Sequence, residues 1–184
     1  MPKVILIVGM PGSGKTTVAN IIEKNFDAKV IHSGDIIRKE IEREGLKYSP
    51  SADAAVAHYF HSYGRETIIV QQVYEQIVRS KKELIIVEGF RNVNEVEILE
   101  DLLNHKVSII AVKTDFKKRY VRELRRKRFA KGETKEYIKN RDISEKFHGI
   151  ARIISKAKHK IKNDGTEKQL EKSTIKLIKR LLER

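Results

Sequence analysis

The sequence predicts an α/β fold: a doubly wound, parallel sheet of five strands with helices on both faces. Three observations predict it. The runs Val4–Val8, Leu84–Glu88 and Val107–Val112 are almost unbroken aliphatic stretches, the pattern of strands buried on both faces. Helix-length amphipathic segments separate them, as right-handed crossovers between parallel strands require. Directly after the first run, Gly9-Met10-Pro11-Gly12-Ser13-Gly14-Lys15-Thr16-Thr17 satisfies G-x-x-x-x-G-K-[ST], the phosphate-binding P-loop pattern.

The P-loop pattern carries a mechanism. Its glycines let the backbone curl so that successive N–H groups point at an anion. The following helix, expected over Lys15–Asn25, adds its positive N-terminal end. Lys15 is placed to reach the β- and γ-phosphates of a nucleotide, and the Thr16 hydroxyl to hold Mg²⁺. A bland Gly-rich strand-to-helix turn is the competing reading.

Composition sets the bounds. A chain of 184 residues suffices for one domain with a full core. No apolar run approaches 18 residues, so no membrane span is expected. The chain runs straight into a core strand, so neither a signal nor a transit segment is expected. The absence of Cys removes disulfides and thiolate metal sites. A cytoplasmic protein fits these features. Lys and Arg number 39 against 25 acids, a net charge of +14 that suits a polyanionic ligand, either nucleotide or nucleic acid. A solvated basic surface accounts for much of it equally well.

Ala28–His32 reads as a short second strand. Ser33-Gly34-Asp35 follows it, then a helix from Ile36 to Gly45 with Ile36, Ile37 and Ile41 on one face and Gly45 as its C-cap. Arg38, one turn in, can clamp a phosphate near the strand's carboxyl end. Alternatively, Asp35 only caps the helix and Arg38 is solvated. Residues 46–80 read as helical with two breaks. Ala54, Ala55, Ala57, Tyr59 and Phe60 form a short helix, and Ile68, Ile69, Val73, Tyr74, Ile77 and Val78 are packing positions of a longer one.

The third strand ends in Glu88-Gly89-Phe90-Arg91. An aliphatic run ending in an acid is the Walker-B pattern, and Glu88 can hold Mg²⁺ through its waters. Arg91 is then beside the transferred phosphate, or is a surface arginine. Asn92 and Glu95 have capping-box spacing at the start of a helix over Val93–Leu103.

Asp115 is expected to cap a helix from Phe116 to about Phe129. Residues 113–131 hold ten Lys/Arg and two acids. Helical geometry groups Arg119, Arg122 and Arg126 on one side, and Phe116, Tyr120 and Leu124 on another that should face the core. Crowded guanidiniums repel unless an anion joins them; a triphosphate, a nucleic-acid backbone or solvent ions all remain open. Residues 130–134 are a short connection, Lys135–Phe147 and Ile150–Ala157 are helices, and Lys158–Lys162 is a fifth strand. Asn163-Asp164-Gly165 is a turn, and a Thr166/Gln169 capping box opens a terminal helix with Leu170, Ile175, Ile178, Leu181 and Leu182 inward.

Together these motifs resemble the nucleoside-monophosphate kinases. Gly9–Thr17 looks like their P-loop. Ser33-Gly34-Asp35-Ile36-Ile37-Arg38 is similar to the adenylate kinase segment that holds the monophosphate. Glu88-Gly89-Phe90-Arg91 resembles its acid-Gly-Phe-Pro-Arg segment, with Glu for Asp and no proline. The arginine-rich helix, the short linker and Arg141 resemble a much shortened lid, with Asp142 one residue from the lid-side aspartate's position. Asn163-Asp164-Gly165-Thr166 resembles the adenine-side loop of the wider kinase group, including dephospho-CoA kinases. Over its whole length the chain resembles an archaeal group of proteins described as adenylate-kinase-related.

The resemblance implies one kinase domain: a core of 1–35, 81–126 and 141–184, a helical acceptor-binding insert over 36–80 and a short lid over 127–140. It implies ATP and Mg²⁺ as cofactors and AMP as the first acceptor. Gly9–Thr17 hold the ATP phosphates, and Thr16 and Glu88 serve the metal. Ser33, Gly34, Asp35, Arg38 and Arg91 hold the acceptor. Lys15, Arg91, Arg122, Arg126 and Arg141 neutralise the moving phosphoryl group, while Arg122, Asn163, Asp164 and Gly165 lie on the adenine side. Two alternatives stand beside it. A dephospho-CoA kinase-like enzyme would use Asp35 as base, and a nucleotide-dependent RNA-associated ATPase would use the basic surface. Nucleotides are the expected partners. Nucleic acid is less favoured, because aromatics are not interleaved with the basic segments.

Overall fold

A computed structural model of the chain describes residues 1–43, 45, 47, 56, 59–60, 65–125 and 135–183. Five strands form one sheet: β1 (Lys3–Val8), β2 (Ala28–His32), β3 (Leu84–Glu88), β4 (Ser108–Lys113) and β5 (His159–Lys162). Their order is β2-β3-β1-β4-β5 and every pairing is parallel. The five strands occur where the sequence pattern puts them, with β1 starting one residue earlier and β4 and β5 each one residue later.

Alternation along each strand feeds two cores. Val4, Leu6 and Val8 face one side with Ile85, Val87 and Ala111, while Ile5 and Ile7 face the other with Ile86, Ile110 and Val112. Helices α1 (Lys15–Asn25) and α8 (Glu167–Leu182) cover the second side. Helices α2 (Ser33–Arg43), α3 (Glu66–Val78), α4 (Val93–Leu103) and α7 (Ile150–Lys156) cover the first. Each fully buried Ile or Val contributes about 1.5–3 kcal/mol, so the β1 sequence alone fixes the sheet's centre. Both expected capping boxes are present, Asn92 with Glu95 and Thr166 with Gln169.

Several expectations are corrected. Helix α2 begins at Ser33, so Asp35 lies in its first turn and is not its cap. Ile68, Val78 and Leu182 are exposed, because each lies just outside the stripe its helix turns inward. The short helix over Ala54–Phe60 falls mostly outside the described residues, although Val56, Tyr59 and Phe60 are helical.

The largest correction concerns α5 (Phe116–Arg125). Its buried side chains are Arg119 and Glu123; Phe116 and Tyr120 are half-buried and stacked, and Leu124 is exposed. The helix lies over the polar P-loop carbonyls and against α6 (Lys135–Phe147), not on an apolar face, so its charged stripe turns inward.

Candidate functional site

The P-loop occupies the crevice beyond the carboxyl end of β1, the sheet's central strand. In open α/β sheets this is where ligands bind. Gly14 has φ +94°, and a Cβ there would stand 2.2 Å from Asn163 Nδ2. The left-handed turn and the close neighbour together explain the glycine. Lys15 folds back over its own loop, donating to the carbonyls of Gly9 at 2.9 Å and Met10 at 3.4 Å. Burial lowers the pKa of its ammonium, an effect partly offset by Glu88 and Glu145.

Glu88 is 8% exposed and both its oxygens are engaged. Oε1 accepts from the Thr16 hydroxyl at 3.0 Å, and Oε2 meets His32 Nδ1 at 3.0 Å. The β2–β3 register sets His32 opposite Glu88. Burial pushes the Glu88 carboxyl up, but the His32 hydrogen bond, the Lys15 charge and the Thr16 hydroxyl outweigh it and hold it low. The same hydrogen bond raises His32 above its ordinary value, against the cost of burial.

A cavity of about 230 Å³ opens over this cluster. Its lining joins the P-loop residues Gly9, Pro11, Gly12, Gly14, Lys15 and Thr16 to Ser33, Gly34 and Arg38 of α2, and to Glu88, Arg91 and Arg141. Arg91 Nε lies 3.4 Å from Glu145 Oε2, and Arg141 donates to the buried Glu123 at 2.9 Å. Arg38 bonds Asp35 on the helix surface.

Not every expected residue lines the cavity. Asp35 is occupied by Arg38 and lies outside the lining. Met10 turns toward the sheet core, and Ser13 and Thr17 do not line it either. Arg122 sits behind the loop, bonding the Asn163 carbonyl at 3.0 Å with Gly12 O and Thr114 at 3.5 Å. Asn163 in turn donates to Ser13 O at 2.8 Å, and Asp164 accepts from the Asp115 amide. Gly165 abuts Gln169. Arg126, and residues 127–134 of the expected lid, lie outside the described residues.

Arg119 forms a two-pronged ion pair with Asp142, at 2.9 and 2.6 Å, and also bonds the Pro11 carbonyl at 2.9 Å. The anions that relieve part of the arginine stripe are therefore the protein's own. His32, Glu145 and Glu123 were not foreseen. His32 could have been found by aligning the carboxyl ends of β2 and β3. Glu123 and Glu145 carry no local signal, since their partners lie on other elements.

The loop geometry fits a nucleotide phosphate, because the curled backbone, the lysine pinned over it and the Thr16–Glu88 oxygen pair form one continuous polar cradle.

Residues 8–139 match a family model described as an AAA domain. The UPF0200 protein of Methanosarcina barkeri is 30% identical over 98% of this chain and 96% of its own length. That of Saccharolobus solfataricus is 32% identical over 98% and 94%. The chain belongs to the UPF0200 proteins and carries that AAA domain. Among solved structures, TT1252 from Thermus thermophilus superposes with a TM-score of 0.64 at 18% identity, covering 98% of each chain. Shikimate kinase from Acinetobacter baumannii, in complex with shikimate, gives 0.62 at 16%, covering 100% of this chain and 94% of its own. The fold is thus that of the P-loop kinases, a five-stranded parallel sheet flanked by helices. Among the described residues no helix is long and apolar enough to cross a membrane.

Proposed function

We propose that this UPF0200 protein is an ATP- and Mg²⁺-dependent kinase that transfers a phosphoryl group to a nucleoside monophosphate, with AMP as the first acceptor. One observation carries the reading. A single cavity is lined by Gly9, Pro11, Gly12, Gly14, Lys15 and Thr16 of the P-loop and by a second set of cationic side chains, Arg38, Arg91 and Arg141. Cations facing the donor cradle across one cavity suit the phosphate of a second substrate.

Bound Mg·ATP supplies the electrophilic phosphoryl group. Lys15 and the loop amides orient and neutralise the donor phosphates, while the bonded Thr16 hydroxyl and Glu88 carboxylate would hold the Mg²⁺, Glu88 through water. Arg38 and Arg91, with Ser33 and Gly34, hold the acceptor phosphate. Arg141 leaves Glu123 to neutralise the migrating charge. An acceptor phosphate oxygen is already ionised near neutral pH, so no general base is required. Rate enhancement then comes from positioning and electrostatic stabilisation. Arg122, Asn163, Asp164 and Gly165 form the adenine side.

The test is a transfer screen with γ-labelled ATP and Mg²⁺, offering AMP, CMP, UMP, GMP and dephospho-CoA separately, beside Lys15→Ala. A labelled diphosphate from one monophosphate, lost in the variant, is the expected result. Label appearing only as free phosphate rejects the reading.

A further inference from the structure

A second cavity, about 460 Å³, lies behind the P-loop on the α7 side of the β4–β5 edge. Its volume is in the range of small-ligand pockets. None of Gly12, Gly14, Lys15, Arg91 or Arg141 lines it, so it is separate from the site described above. Its walls divide by chemistry. Met10 and Ile154 are half-buried apolar side chains packed on the core. Lys113, Lys160 and Lys162 are exposed cations.

The lysines are crowded by the sheet itself. Lys113 and Lys162 are register partners on neighbouring parallel strands, about 4.8 Å apart in backbone. Lys160 follows on the same face, about 6.6 Å along β5. Like charges placed opposite each other destabilise a sheet. The carboxylates nearby relieve little of this. Asp164 accepts from the Asp115 amide and stands 3.8 Å from Lys162, while Lys113 and Lys160 have no ion-pair partner among the described residues. Arg119, also in the wall, is taken by Asp142 and Pro11.

We propose that this cavity binds a phosphate monoester with an apolar or aromatic organic part, the phosphate meeting Lys113, Lys160 and Lys162, and the organic part lying on Met10 and Ile154. Met10 belongs to the P-loop, so an occupant here touches the back of the candidate catalytic site. The proposal does not depend on the kinase reading.

The test uses Lys15→Ala/Arg38→Ala/Arg91→Ala protein throughout, which removes the P-loop lysine and the two arginines placed on the acceptor phosphate. Phenyl phosphate, inorganic phosphate and an oligouridylate are titrated by calorimetry at fixed ionic strength, without metal. The same titrations are made with Lys113→Gln/Lys162→Gln added. Phenyl phosphate is expected to bind at least about 10-fold more tightly than inorganic phosphate, and to weaken at least about 10-fold in the double variant, as losing charged hydrogen bonds predicts. Melting curves verify folding; removing a like-charge pair should leave the double variant's Tm equal or higher. Equal binding of phenyl and inorganic phosphate overturns the organic part of the proposal. Unchanged binding by the folded double variant overturns the site. Binding of the oligouridylate alone overturns it too, and assigns the patch to a nucleic-acid backbone.

Discussion

Arg119 of α5 and Asp142 of α6 are joined by two hydrogen bonds inside the protein, and the same guanidinium holds the Pro11 carbonyl of the P-loop. Helices α5 and α6 and the phosphate loop are therefore fastened at one buried point. Removing one partner of such a pair strands a charge, which costs about 3–5 kcal/mol. Asp142→Ala should lose that much in urea denaturation. Replacing both, Arg119→Met with Asp142→Leu, should recover most of it, because desolvating the pair is itself expensive. A single variant within 1 kcal/mol of wild type would show the pair to be dispensable.

Gly14 is the loop position where a side chain has least room. A Cβ meets Asn163 Nδ2 while the backbone keeps φ +94°. Gly14→Ala should cost about 1–3 kcal/mol in strain and displace Asn163 from its bond to Ser13 O. Loss of ATP affinity should exceed the loss of stability; titration of a fluorescent ATP analogue, beside a melting curve, separates the two.

The His32–Glu88 pair gives a pH signature. His32 is raised above 6.5, so its stabilisation is full below 6.5 and is lost as pH rises through the raised value. Glu88 is held below 4.5, so its contribution is present above 4.5 and lost as pH falls through the lowered value. Both contribute fully between about 4.5 and 6.5. In metal-free buffer, the Tm difference between wild type and His32→Gln should be largest in that window and shrink on the alkaline side. A difference that is flat to pH 9 would exclude the ion pair.

Most of the fold was legible because it rests on local signals. Strand β1 is aliphatic from Val4 to Val8 and buried on both faces, as β3 is from Leu84 to Val87. The P-loop glycines and the two capping boxes are equally local. Helix α5 was misread for the opposite reason. Phe116, Tyr120 and Leu124 look like a core stripe, but the surface beneath the helix is made of P-loop carbonyls, which call for donors. Only tertiary placement reveals that Arg119 belongs inside, and only a partner helix reveals its carboxylate. The site divides likewise. Lys15, Thr16 and Glu88 follow from motif and strand end. His32 follows from register, and Glu145 from the packing of α6 beneath Arg91.

Arg38 and Arg91 should separate acceptor from donor in kinetics. Both line the shared cavity, Arg38 bonded to Asp35 and Arg91 paired with Glu145. Each charged hydrogen bond to a phosphate contributes about 1.5–3 kcal/mol, or roughly 10- to 150-fold in affinity. Arg38→Ala and Arg91→Ala should each raise the acceptor KM by about that factor while leaving the ATP KM within about two-fold. Lys15→Ala should instead lower kcat about 100-fold or more, since the proposed mechanism sets its ammonium against the donor phosphates. Initial rates with each substrate varied in turn provide the comparison. A parallel rise in both KM values for Arg91→Ala would move that residue to the donor side, leaving Arg38 as the acceptor's anchor.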